Sequence, residues 1–184
     1  MRGKSHLCLG NYLSQHYMDS LPKRYQKAFL VGCIEPDRNP MTYFKGSIRA
    51  QWMRGHNYHN ASRYMNRLSS RLEKKSKLRL FDYYSLGKLI HYTTDAFTYA
   101  HNDIFPTNLN DHREYEVSLQ NQFLDFMAEE PPVEPKPDTS VMETIRRNHR
   151  AYIRSAGDTA TDCRFAFTVC CSVLSLLVLK PIMP

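Results

Sequence analysis

No stretch of this 184-residue chain keeps the apolar–polar alternation of a half-buried strand, and no segment repeats. β-rich and solenoid architectures are set aside on that ground. There is no C-x-x-C pair either. The five cysteines, at 8, 33, 163, 170 and 171, are odd in number, and the adjacent Cys170 and Cys171 are ill placed to bridge each other. They read as buried free thiols of a reducing compartment. The opening MRGKSHLCLG lacks the apolar core of a secretion leader, so a cytoplasmic protein is expected. The longest apolar run, FAFTVCCSVLSLLVL at 165–179, falls short of a clean membrane span and is expected to be a core helix.

Hydrophobic residues make up 42% of the chain and charged ones 23%, ordinary proportions for a globular protein. The length suits one domain covering residues 1–184. The net charge of +7 favours anionic partners: phosphate esters, an anionic surface contacted peripherally or, as second choice, nucleic acid. No obligate protein partner is implied.

Apolar spacing predicts helices over Ser5–Asp19, over Pro22–Gly32, over 58–76 with Asn57 or Asn60 as cap, and over Phe81–Asn102. Pro36-Asp37-Arg38-Asn39-Pro40 is expected to be irregular, because each proline biases its predecessor to extended backbone. Residues 41–55 read as a loop. Asp111 is expected to cap a helix reaching Glu130, with Tyr115, Leu119, Phe123 and Phe126 inward. A proline-rich connector, 131–138, precedes C-terminal helices over 139–180. The first of these opens on the capping box Ser140-x-x-Glu143 and stops by Gly157. Arg63, Arg67, Arg71, Lys74, Lys75, Lys77 and Arg79 form either a solvated face or an anion-attracting patch. The fold class is all-α, a single-domain bundle of about six or seven helices.

Within Leu89–Glu116 the pairs His91/Asp95 and His112/Glu116 are each four residues apart, which stacks both members on one helix face. Each pair can offer an imidazole nitrogen and a carboxylate oxygen to one metal ion. His101 lies about 80° from His91 on a helical wheel, so one inward arc would hold His91, Asp95 and His101. Pairs of this spacing also occur as weak local contacts, so spacing alone leaves both readings open.

His-x3-Asp-x5-His followed by His-x3-Glu resembles the metal core of the zinc-dependent phospholipase C family. SHLCLGNYL near the start, Pro36-Asp37 and RGHNY at 54–58 extend the resemblance over roughly residues 5–127. It implies a phospholipase C/nuclease-like helical fold and a hydrolase that cleaves a phosphodiester, of phospholipid head-group type, with metal-bound hydroxide. It further implies zinc ligation by His6, Asp37, His56, His91, Asp95, His101, His112 and Glu116, with His59 as the alternative to His56. One ion would take His101, His112 and Glu116; a second Asp37, His56, His91 and Asp95; a third His6 and Asp95. Asp37 is the candidate catalytic base. Two or three zinc ions are implied, and manganese or iron also suits such donors.

Family members complete the third ion with the amine and carbonyl of an N-terminal tryptophan. Here Met1 stands five residues before His6, and the one tryptophan is Trp52. The competing functions are a nuclease or phosphomonoesterase on a similar centre, and a metal-stabilised helical protein without efficient catalysis. His16, His59 and His149 read as surface residues or supports of the ligands. Tyr12, Tyr58, Tyr92 and Tyr99 either pack or line a choline-type pocket through cation–π contact.

Overall fold

The computed structural model describes residues 1–39, 41, 56–105, 109–132 and 135–179. Trp52, Pro40, Pro106 and all but Met41 of the expected 41–55 loop lie outside the described residues, as does part of the 131–138 connector. Among the described residues there are seven α-helices and no strand: α1 Gly3–Met18, α2 Lys23–Arg38, α3 Tyr58–Glu73, α4 Leu80–Ala96, α5 Leu109–Ala128, α6 Val141–Ile153 and α7 Thr159–Val178. A 3₁₀ turn, Tyr99–His101, follows α4. The all-α architecture agrees with the sequence reading.

Helix α4 is the axis. From Asp82 to Ala96 every residue except Tyr84 is buried, which requires neighbours on all sides. Those neighbours are α1, α2, α3 and α7. Its apolar members, among them Leu86, Leu89, Ile90 and Tyr92, anchor the core. Because α4 is enclosed, its polar residues His91, Thr94 and Asp95 are buried with them, and each must find partners inside the bundle.

Among the described helices α2 and α4 pack most extensively on each other. A Cβ on Gly32 would fall 2.1 Å from the Tyr84 carbonyl oxygen, and one on Gly87 would fall 2.1 Å from that of Phe29. Only glycine at both positions lets the two backbones meet this way.

This packing corrects the expected break at Pro36. Helix α2 does not stop near Gly32 but continues through Pro36 to Arg38. Pro36 sits in the final turn, where it forfeits one hydrogen bond rather than interrupting a long ladder. Glu35, which the proline would bias away from helix, is paired with Lys88 of α4 at 2.6 Å. Tertiary contact overrides the local preference.

Helix α4 also ends earlier than expected, at Ala96 rather than Asn102. The Thr98 hydroxyl donates to the Asp95 carbonyl at 2.9 Å. The Asn102 amide donates to the Ala96 and Thr98 carbonyls at 3.1 and 2.8 Å. These side chains satisfy the carbonyls that a continuing helix would have used. Asp111 lies inside the first turn of α5 rather than capping it. Leu119 and Phe123 are buried as expected, with Tyr115 and Phe126 partly covered against the same core.

The remaining caps act as read. Asn57 accepts the His59 N–H at 2.9 Å, and Ser140 accepts that of Glu143 at 3.2 Å. Helix α6 stops at Ile153, and Gly157, at φ 139°, turns the link toward α7 instead. Helix α7 is long and apolar enough to cross a membrane by length and composition, yet 67% of its most apolar window is buried inside the bundle. Cys163, Ala166, Phe167, Cys170 and Leu174 face the interior, and all five cysteines are free. On the basic face of α3 and the turn after it, Lys75 pairs with Asp82 at 2.6 Å.

Candidate metal centre

Three groups of donor atoms, each within 4.8 Å of one another, gather where α1, α2, α4 and α5 converge: His6, His91 and Asp95; Asp37, His56 and His91; His101, His112 and Glu116. All eight residues singled out in the sequence therefore meet in one region. The first two groups share His91, which with Asp95 occupies adjacent turns of α4.

Asp95, with none of its surface exposed, sits at the middle. Its Oδ2 is 3.1 Å from His56 Nδ1 and 3.2 Å from His91 Nε2, and its Oδ1 is 3.2 Å from His6 Nε2. Burial opposes its charge, but the Met1 ammonium and the surrounding imidazoles hold the carboxyl well below its usual range. Asp95 is thus an anion with donors on both oxygens, the form a bridging metal ligand needs.

His91 shows how the fold orients a donor. Its Nδ1 lies 2.9 Å from the Cys33 carbonyl oxygen on α2, which can only accept, so that nitrogen carries the hydrogen. The free lone pair is left on Nε2, toward Asp37 and Asp95. This tautomer depends on the glycine-lined contact of α2 with α4, which brings the Cys33 carbonyl within reach. The His6 and His91 rings stack with centroids 3.9 Å apart. Burial lowers the pKa of both, to about 4 for His91, with the neighbouring His6 adding to the effect. His101 is likewise held neutral, by burial and then by the Met1 ammonium. Neutral imidazole is the metal-binding form.

The position of His101 differs from the helical-wheel expectation. It is on the 3₁₀ turn after α4, not on the same helix face as His91. Its Nδ1 is 2.7 Å from Thr98 Oγ1, and its Nε2 faces Glu116 Oε1 at 3.8 Å. His112 Nε2 is also 3.8 Å from that oxygen. These three are only partly buried. Of His56 and His59, His56 is buried among the donor residues, while His59 is exposed on α3.

Met1 is the contributor that side-chain reasoning missed. Its amino group lies 2.7 Å from Asp95 Oδ1, 3.4 Å from Glu116 Oε1 and 3.3 Å from His101 Nδ1. Its carbonyl oxygen is 3.1 Å from His6 Nε2. Burial works against the ammonium's charge, but the carboxylates of Asp95, Glu116 and Asp37 outweigh it and raise its pKa. A buried cation held by carboxylates from α4 and α5 marks this spot as one that stabilises positive charge. The imidazole and carboxylate donors around it are those zinc takes, so the residues fit that ion.

His149 is buried, stacked on Tyr58 with ring centroids 3.5 Å apart, and its Nε2 lies 2.8 Å from Oδ1 of Asn102, beside His101 in sequence. The four tyrosines do not converge on a pocket. Tyr12 donates to the Pro131 carbonyl, Tyr58 lies on His149, Tyr92 is enclosed beside His56 and His91, and Tyr99 packs on Phe105. His16 is exposed.

A family model described as zinc-dependent phospholipase C matches residues 5–159. No curated protein and no solved structure matches the chain.

Proposed function

Since the chain belongs to the zinc-dependent phospholipase C family, we propose that it is a zinc-dependent phosphodiesterase acting on a diester of phospholipid head-group type. The observation that carries this reading is the convergence of three donor groups around the fully buried, ionised Asp95. Zinc held by such donors acidifies water and offsets the charge of a phosphate and its leaving oxygen. His6 and Asp95, with the amine and carbonyl of Met1, would hold the innermost ion. Asp37, His56, His91 and Asp95 would hold a second, and His101, His112 and Glu116 a third.

Asp37 has a separate role. Its Oδ1 stands 3.7 Å from His56 Nδ1 and 3.6 Å from His91 Nε2, and its side chain is 22% exposed. Burial raises its pKa, opposed by His91. A partly open carboxyl with raised proton affinity can orient a water and take a proton from it. This supports Asp37 as the general base, at the boundary between cluster and solvent.

The test is elemental analysis of protein purified without chelators, beside turnover on a choline phosphodiester, a phosphomonoester and single-stranded nucleic acid. Two or more zinc ions with diester turnover support the proposal. Protein without bound metal, or turnover confined to monoester or nucleic acid, rejects it.

A further inference from the structure

A cavity lies outside the cluster of donor residues, between α3 and α6. Its volume is about 550 Å³, and Arg63 and Asn66 of α3 face Arg146 of α6 across it. Neither arginine takes part in an ion pair among the described residues. Two guanidinium groups from different helices thus face one space with their charge unspent. The single carboxylate in the cavity wall, Asp103, is already engaged through Oδ1 by the Asn57 amide at 2.9 Å. The first turn of α3 also borders the cavity, adding the positive end of a helix to the two side chains. Paired guanidiniums beside the Asn66 amide suit the oxygens of a phosphate better than a neutral ligand.

We propose that this cavity is a phosphate-binding site, separate from the place where the scissile phosphate is cleaved. Its inner wall includes Asn57 and Asn102, the residues that directly follow His56 and His101. Asn102 in turn holds the carbonyls of Ala96 and Thr98 and meets His149. The cavity therefore borders the residues that fix both ligand-bearing turns. The phosphate is either that of a free small molecule or a second phosphate of the substrate, and the chemistry that recognises it is the same.

The experiment titrates metal-loaded protein with inorganic phosphate by calorimetry. It compares wild type, the double variant Arg63→Gln/Arg146→Gln and, separately, His112→Ala. Both arginines are exposed and unpaired, so the double variant should keep its melting temperature and metal content. It should lose at least about tenfold in affinity for one phosphate, as expected when charged hydrogen bonds are removed. His112→Ala should keep that same binding event. Identical phosphate binding in wild type and double variant would overturn the proposal, as would loss of all phosphate binding in His112→Ala. This readout stands whether or not the protein turns over a diester. Turnover then separates the two sources. A KM raised in the double variant only for a diester carrying a second phosphate identifies the substrate; lost phosphate binding with unchanged KM for both diesters identifies a free ligand.

Discussion

The inner and outer parts of the cluster are built differently. His91 and Asp95 are fully buried on a helix enclosed on every side, and His6 and His56 are nearly so. A carbonyl of α2 fixes the tautomer of His91. His101, His112 and Glu116 are half-covered and come from a 3₁₀ turn and the first turns of α5. The inner donors are held by the packing that makes the fold; the outer ones rest on a short turn secured by Thr98 and Asn102. A metal ion bound inside therefore becomes part of the folding energy, whereas one bound outside can exchange with little change to the core.

Asp95→Asn should be the most damaging change. It removes the charge that balances the Met1 ammonium in a buried setting, where breaking an ion pair costs about 3–5 kcal/mol. Denaturant unfolding of the metal-free variant measures this. Metal analysis should show the inner ions lost and the outer one retained, and loss of all three together would erase the distinction.

Asp37→Asn tests the inner part at its edge toward solvent. It should keep most of the metal and the melting temperature while lowering turnover by about a hundredfold, within the range for removing a general base. Full turnover would remove Asp37 from the base role.

The outer part should also answer to pH through a residue that touches no metal donor. Asp162 on α7 is buried and accepts hydrogen bonds from the Tyr99 backbone N–H at 2.8 Å, Tyr115 at 2.9 Å and Tyr152 at 2.7 Å. It thereby ties down the turn that carries His101. Burial raises its pKa to about 6, against the donors that favour the ionised form. A carboxyl whose pKa is raised on folding stabilises the protein below its unfolded pKa of 3.8, and that contribution is lost as pH rises through about 6. The loss amounts to about 3 kcal/mol if burial is not relieved by local opening. The buried histidines His91 and His149, each with its pKa lowered to about 4, contribute the opposite trend in metal-free protein. The Asp162 contribution is therefore read by comparing unfolding of wild type and Asp162→Asn at pH 4.5 and 7.5, where the variant should gain more stability from the higher pH. An unchanged difference in the variant would assign the pH dependence elsewhere.

The smallest effect is expected for His112→Ala, which should lose about one ion and shift unfolding by no more than about 1 kcal/mol, as at other partly exposed positions. A larger shift would show that the outer ion, too, is part of the folded core.

Much of this arrangement was readable from residue order. The pairs His91/Asp95 and His112/Glu116 each lie within one continuous helix, where spacing fixes direction. The inward face of α5 followed from the same periodicity, and the burial of α7 from its apolar run. His101 escaped the helical wheel because Thr98 and Asn102 end α4 by capturing its last carbonyls, a competition between side chain and backbone that apolar spacing does not record. Pro36 misled for the opposite reason: a local bias yielded to the packing of α2 on α4. His149 looked peripheral because its burial depends on Tyr58 and Asn102, both distant in sequence. The part played by Met1 has no side-chain signature at all.

That last contribution bears on how the protein is handled. The amino group of Met1 is enclosed between Asp95 and Glu116, so an affinity tag fused ahead of it, or an acetyl group placed on it, turns a cation into a neutral amide at that point. The change strips positive charge from between two carboxylates and asks added atoms to enter a closed space. A sample tagged at this end would be a different molecule at its centre from one tagged at the other. Metal content and turnover measured on the two should not be pooled.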